Sequence, residues 1–253
     1  MKITFLGTGT SQGIPIIGSS HPVCLSSNPK DKRLRVSILI EWDNFIYVID
    51  CGPDFRQQML NANPDHLDGI LFTHEHSDHT AGLDDIRPFN FKQGDLPIYA
   101  HKRVINALKE RFAYVFETEN KYPGAPGVLP FEITNTAFTL GNTSVTPINV
   151  MHHKLQVFGF RIYNFAYITD MKTIENTEVE KLKDLKVLVI NCLRLEQHQS
   201  HLNLEEALAF IAEVKPEKAY LTHISHLLGF HDDVQKSLPK NVFLAYDNLQ
   251  IKI

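Results

Sequence analysis

The segment His74-Glu75-His76-Ser77-Asp78-His79 puts three imidazoles and the Asp78 carboxylate within six residues. Neutral imidazole and carboxylate together suit Zn²⁺, Mn²⁺ or Fe²⁺. The spacing differs from the helical H-E-x-x-H arrangement, whose ligands sit at i and i+4. His74 and His76 are two residues apart, so they converge only on extended or turn backbone. Asp78 and His79 are adjacent; they diverge and can serve a second metal. More candidate ligands lie far along the chain, in Met151-His152-His153, His198-Gln199-Ser200-His201 and Thr222-His223-Ile224-Ser225-His226. Two metals about 3.5–4 Å apart would acidify a bridging water and clamp both oxygens of an in-line displacement. That water is the expected nucleophile, with Asp78 orienting it. Asp50 and Asp68 are the candidates to hold an imidazole by its free N–H.

The elements around these residues are readable from periodicity. KITFL (2–6) predicts a strand that runs into the Gly-rich turn GTGTSQGIP. That turn lacks the G-K-[ST] ending of a phosphate loop, and it is expected to let backbone approach the metal loop closely. Residues 34–41 and 45–50 predict a hairpin, 54–62 a helix, and 68–72 a buried strand that ends directly at the histidine cluster. A strand at 97–99 and a helix at 102–110 follow, then a loop at 121–130. Strands are expected at 131–133, 137–140 and 143–149, with a hairpin from 158–163 and 165–170. The remainder reads as helix 175–182, strand 186–191, helix 203–213, strand 218–222, helix 231–237 and strands at 242–245 and 249–252. Two sheets with helices on their outer faces satisfy this order. Thr73, Asp170 and Thr222 fall at strand ends, where layered α/β proteins build sites.

Composition narrows the function. The chain has 253 residues, 43% apolar and 21% charged, with a formal charge of −4. It is expected to form a single domain over 1–253. No basic run makes a case for gripping nucleic acid, and no apolar run is long enough to span a bilayer. Three scattered cysteines and the lack of a signal-like N-terminal stretch lead to the expectation of a cytoplasmic protein. A homodimer is the ordinary prior for a soluble enzyme.

With these residues in view, the sequence resembles the metallo-β-lactamase superfamily, of which HEHSDH is a signature. The resemblance implies a four-layer αββα sandwich of the α/β class. It also implies that His74, His76 and His152 bind a first metal, that Asp78, His79 and His223 bind a second, and that Asp170 bridges them. LGTGTSQGIP, GLDDIRPFN and SHLNLEEAL are similar to the branch that contains phosphoribosyl cyclic phosphate phosphodiesterase and, more distantly, tRNase Z. In that branch the position of His201 is a catalytic proton donor, and His198 is the weaker competitor. A leaving alkoxide needs such a group. The branch also carries a structural zinc on a C-x-C-x-x-C segment and a late histidine. This chain departs from that pattern: Ser19 and His21 replace two cysteines, which leaves His21, Cys24 and His226 as three ligands. Arg35, Arg87 and Lys154 are the candidate contacts for a substrate anion.

The expected activity is therefore metal-dependent hydrolysis of a small or cyclic phosphodiester by a metal-bridging hydroxide, with two Zn²⁺ (Mn²⁺ as the alternative). The competing readings are a lactonase or thioesterase, a nuclease of the tRNase Z type, and a non-catalytic accessory protein of cofactor biosynthesis.

Overall fold

The computed structural model describes residues 1–119 and 121–253. Its first sheet uses β1 (Lys2–Gly7), β2 (Ser37–Trp42), β3 (Phe45–Ile49), β4 (Gly69–Leu71), β5 (Leu96–Ala100) and β6 (Val128–Glu132). The second uses β7 (Phe138–Leu140), β8 (Thr143–His152), β9 (Leu155–Ile162), β10 (Phe165–Ile168), β11 (Thr173–Ile174), β12 (Val187–Asn191), β13 (Lys218–Thr222) and β14 (Val242–Leu244). The last strand, β15 (Gln250–Lys252), returns to the first sheet, which is ordered β15-β1-β2-β3-β4-β5-β6. The second sheet is ordered β11-β8-β9-β10-β12-β13-β14, with β7 also paired to β8.

Period-2 alternation sends each strand's side chains into two different cores. Ile3, Phe5, Ile38, Ile40 and Ile49 of the first sheet meet Phe158, Phe160, Tyr167 and Val189 of the second in one cluster between the sheets. The intervening residues face outward. Leu6, Leu39 and Val48 pack beneath Phe55 and Met59 of the helix Phe55–Ala62 and beneath Val104 and Leu108 of the helix Lys102–Arg111. Ala166, Ile168, Leu188 and Ile190 pack against Ala207, Phe210 and Ile211 of the helix Leu204–Val214. That helix starts in a capping box: Asn203 Oδ1 accepts from Glu206 N at 2.9 Å, and Glu206 Oε2 accepts from Asn203 N at 3.0 Å. The architecture is the four-layer αββα sandwich expected.

Several boundaries differ from the sequence expectation. β6 begins at Val128, inside the segment read as loop. The segment 175–182 is a short helix, Asn176–Val179, followed by a 3₁₀ turn over Glu180–Leu182. A helix over Arg87–Gln93 was not anticipated; Phe89 is its one buried residue, so it offers no repeating apolar face to read.

The Gly-rich turn does something other than expected. A side chain at Gly7 would strike the Arg35 carbonyl, and one at Gly9 would press on Arg33 and Leu34. The glycine that lies against the metal loop is Gly52, whose added Cβ would strike the Asp78 carbonyl. The turn instead holds the loop after β13: Thr10 N donates to Ile224 O at 3.0 Å, and Ile224 N donates to Thr8 O at 2.9 Å.

A buried polar network fastens this region to the last strands. Arg33, 4% exposed, donates through Nη1 to Thr8 Oγ1 at 2.7 Å and to Ala245 O at 2.5 Å, and its Nη2 meets His231 Nδ1 at 3.1 Å. Burial lowers Arg33 to about 10 and raises nearby Asp247 to about 6. Arg33→Met removes the donors to Thr8 Oγ1 and Ala245 O and the neighbouring cation that opposes the rise of Asp247. It is expected to cost about 1–3 kcal/mol in urea unfolding, and Asp247→Asn in the same chain should return part of that loss. An unchanged unfolding midpoint in Arg33→Met would refute this.

Candidate metal centre

Strand ends deliver the cluster. β3, β4, β8, β10 and β13 all finish at one edge of the paired sheets, and Asp50, His74–His79, His152, Asp170 and His223 stand on or just past those ends. Asp50, Asp170 and His223 take left-handed backbone, with φ of 67°, 55° and 56°. Non-glycine residues tolerate that conformation at a cost, and such positions concentrate at functional sites. Here each one turns a side chain out of its strand and into the shared edge.

The donor atoms converge. Those of Asp78, His79 and His223 lie within 4.8 Å of one another, as do those of His74, His79 and Asp170, and those of His152, Asp170 and His201. His79 Nε2 is 3.3 Å from both Asp78 Oδ2 and Asp170 Oδ2. His223 Nε2 is 3.2 Å from Asp170 Oδ1, and His201 Nε2 is 3.0 Å from the same oxygen. His76 belongs to none of the three groups but meets His74 Nε2 through its Nδ1 at 2.9 Å, and its ring lies 5.3 Å from that of His152.

The far nitrogens are fixed from behind. Asp50 Oδ2 holds His79 Nδ1 at 2.6 Å, while Asp50 Oδ1 accepts from Thr73 N at 2.8 Å. Ser200 O holds His152 Nδ1 at 2.8 Å, and Thr73 Oγ1 holds His74 Nδ1 at 3.0 Å. Such contacts fix ring orientation and tautomer at metal sites. Of Asp50 and Asp68, the two aspartates expected in this role, Asp50 fills it. Asp68 instead accepts from Ile46 N at 2.7 Å, outside the cluster.

The electrostatics fit a cation. Burial works against the Asp170 charge, yet His223 and His79 hold its carboxyl well below the usual range. Asp78 is likewise held low, by His79 and His223 against burial. Burial also opposes charge on His79, but Asp78, Asp170 and Asp50 raise it well above an ordinary histidine. His74 is pushed well down by burial and by His79, and burial takes His201 to about 4. His79 Nε2 and both ring nitrogens of His223 are buried without a hydrogen-bond partner among the described residues. Leaving such atoms unpaired is costly. Divalent cations coordinated by these residues would satisfy the orphaned Nε2 atoms of His79 and His223 and the negative charge together, so the residues fit the group.

Glu75, inside the motif but not a candidate ligand, anchors the loop. Arg103 Nε donates to Glu75 Oε1 at 2.8 Å, and Arg111 Nη1 donates to Glu75 O. Both arginines come from the helix Lys102–Arg111 and were not singled out from sequence. An acidic residue between two ligands was the available signal.

The remaining sequence candidates are placed as follows. Arg35 Nη1 is 3.1 Å from Asp54 Oδ1, and Arg87 Nη2 is 2.7 Å from Asp84 Oδ1, so each already faces a carboxylate. Lys154 is exposed in the turn between β8 and β9. His21 and His226 meet edge to face with ring centroids 4.7 Å apart, His226 Nδ1 is buried without a partner among the described residues, and Cys24 is buried in the short helix Pro22–Leu25. This trio is not among the close donor groups of the described residues.

Comparisons with known proteins agree with this fold. Residues 46–224 match the model of the Beta-lactamase superfamily domain. A protein of Porphyromonas gingivalis named octanoyltransferase is 39% identical over 253 residues, covering 99% of this chain and 51% of that protein. The chain thus spans about half the length of that relative. Ribonuclease Z of Bacillus subtilis is 29% identical over 167 residues, 64% of this chain and 48% of that protein. The crystal structure of a new diphosphatase from the PhnP family superposes with a TM-score of 0.93 at 34% identity, covering 100% of this chain and 97% of that one. Zn²⁺-bound PqqB from Methylobacterium extorquens shares the fold, with a TM-score of 0.81 at 16% identity and full coverage of both chains. The chain belongs to the metallo-β-lactamase superfamily, and its clustered histidines and aspartates form overlapping donor groups consistent with a binuclear metal-dependent hydrolase site.

Proposed function

We propose that the chain, as one domain of this fold, hydrolyses a small or cyclic phosphodiester with two divalent cations, Zn²⁺ first and Mn²⁺ as the alternative. His74, His76 and His152 hold one cation, Asp78, His79 and His223 the other, and Asp170 lies between them. The observation that carries the reading is the place of His201, with Nε2 3.0 Å from Asp170 Oδ1 and Nδ1 3.0 Å from Ser200 Oγ. A titratable imidazole beside the metal donors suits a reaction whose leaving group is an alkoxide. A thiolate leaves without that help, so thioesters fit less well.

Bound cations would supply Lewis acidity toward the phosphoryl oxygens and an acidified water. The protein's own groups do the rest. Asp78 orients the attacking water with the carboxylate oxygen turned away from His79. Asp50 and Ser200 keep His79 and His152 aimed at the cluster. His201 gives its proton to the departing oxygen, and the negative phosphate beside it lifts its proton affinity from the depressed value. A second reading, cleavage of a diphosphate linkage, is favoured by the likeness to the PhnP-family diphosphatase.

No helix among the described residues is long and apolar enough to cross a membrane. We place the protein in the cytoplasm, acting on a small molecule rather than on nucleic acid; the net charge of −4 supports the second point.

The test is hydrolysis of bis(p-nitrophenyl) phosphate against p-nitrophenyl phosphate by Zn²⁺-loaded or Mn²⁺-loaded protein. Turnover of the diester alone, abolished by chelation, is the expected result. No diester turnover at two metal equivalents would overturn the reading. The same metal analysis tests His21, Cys24 and His226, because a structural Zn²⁺ there would raise the count to three.

A further inference from the structure

The three imidazoles proposed for the first cation come from different sheets. His74 and His76 follow β4 of the first sheet, whereas His152 ends β8 of the second. Their rings still stand close, with centroids 5.9 Å apart for His74 and His152 and 5.3 Å apart for His76 and His152. Pairing within either sheet does not set these distances. A backbone bond from Phe158 N to Thr73 O, 3.1 Å long, joins the sheets just before His74. Past it the chain has left the strand, and the loop needs a further tie.

Arg103 supplies it. Its Nε donates to Glu75 Oε1 at 2.8 Å, and its Nη2 donates to Gln156 O at 2.6 Å. Glu75 stands between His74 and His76 in the chain. Gln156 pairs with Met151 in the β8–β9 ladder, and the next pair is His152 with Leu155. One guanidinium thus grips the residue between the two first-sheet ligands and the strand beside the second-sheet ligand. The guanidinium is a rigid planar fork, so the distance between its two grips is fixed by covalent geometry. Its base is firm. Arg103 lies in the first turn of the helix Lys102–Arg111, its N donates to His101 Nδ1 at 3.2 Å, and Val104 and Leu108 beside it are buried. The ion pair is sheltered on the acidic side: the Glu75 side chain is 17% exposed. A charge-assisted bond of this kind is stronger than a neutral one.

Neighbouring contacts brace other parts. Arg111 Nη1 donates to Glu75 O and, at 3.3 Å, to Thr80 Oγ1, which donates to His76 O at 2.9 Å. These bonds tie the metal loop to a helix on its own side of the sandwich. The ligands proposed for the second cation are held elsewhere, His79 by Asp50 and the loop of His223 by Thr8 and Thr10.

We infer that Arg103 is a positioning residue for the first cation, holding the His74–His76 pair at binding distance from His152 through Glu75 and Gln156 O. The inference rests on the two-cation reading of the cluster and is independent of the substrate. It makes the two metal positions separable, because loss of Arg103 loosens one set of ligands and leaves the other braced.

The test reads metal binding rather than turnover. Protein stripped with a chelator is titrated with Co²⁺, whose visible absorption reports coordination. His152→Ala and His223→Ala assign the spectrum, since each should delete the component of one position. In Arg103→Gln the component deleted by His152→Ala should need about 10–100-fold more Co²⁺ to fill, the usual effect of losing a contact behind a ligand. The component deleted by His223→Ala should not move. Arg103→Lys should recover little, because an ammonium lacks the fork that makes both bonds in one plane. Glu75→Gln reads the same clamp from its other end and should give the same selective loss, so the test survives one variant that does not fold. Combined with Arg103→Gln it should lose no more than either alone, as expected of partners in one contact. Equal weakening of both components, no weakening, or additive losses in the double variant overturns the inference. A single Co²⁺ component in the unmodified protein would instead sink the two-cation reading and the inference with it, so the two failures are distinguishable.

Discussion

Asp170→Asn is expected to strip at least one metal equivalent from the protein and to cut phosphodiester turnover by more than the roughly 10–100-fold that follows loss of an outer contact to a metal ligand. The reason is its position. Asp170 is 2% exposed, and its two oxygens face His79, His223 and His201 at 3.0–3.3 Å. It belongs to two of the three donor groups. Asparagine keeps the volume and can still accept from Thr169 Oγ1, which donates to Asp170 Oδ2 at 2.6 Å. What it removes is the charge between the two proposed metal positions. Metal analysis alongside diester kinetics separates a binding defect from a kinetic one. Full metal content with unaltered turnover would exclude Asp170 from the site.

His201→Gln should behave differently. In the proposed role of proton donor, His201 would contribute about 10²–10⁴-fold to rate, so its loss should slow the reaction while two metal equivalents remain bound. The size of the loss should depend on the leaving group. An alkyl alcohol needs a proton as it departs, whereas p-nitrophenolate is stable without one. The variant should therefore be far more impaired on an alkyl phosphodiester than on bis(p-nitrophenyl) phosphate. A uniform loss on both substrates would count against proton donation. Loss of a metal equivalent would make His201 a ligand instead, a role that its grouping with His152 and Asp170 would permit.

Much of this was legible because strands carry their own signal. Unbroken apolar runs in FIYVI and FAYI mark β3 and β10, and the polar residues that follow them, Asp50 and Asp170, are conspicuous. The density of histidines in HEHSDH announces a metal loop without any knowledge of topology. What escaped was set by tertiary contact. Nothing local says that Arg103 and Arg111 reach back to Glu75, or that Asp50 rather than Asp68 meets His79. Gly7 and Gly9 looked like neighbours of the metal loop, but their closeness is to the backbone at Arg33–Arg35, a contact made by folding.

The scattering of the ligands along the chain has a consequence for biosynthesis. His79 leaves the ribosome 144 residues before His223. At ~5–20 residues per second that is an interval of about 7–30 s. Early in it, the HEHSDH loop carries three imidazoles and two carboxylates, without the strands β8–β13 that shape the finished site. Affinity in such a half-built site follows the intrinsic order of the transition metals, in which Cu²⁺ outranks Zn²⁺ and Mn²⁺. Fidelity of metallation then rests on the cell's free-metal levels while the nascent chain waits, and the geometry of the completed edge can reject an ion only after His223 has arrived.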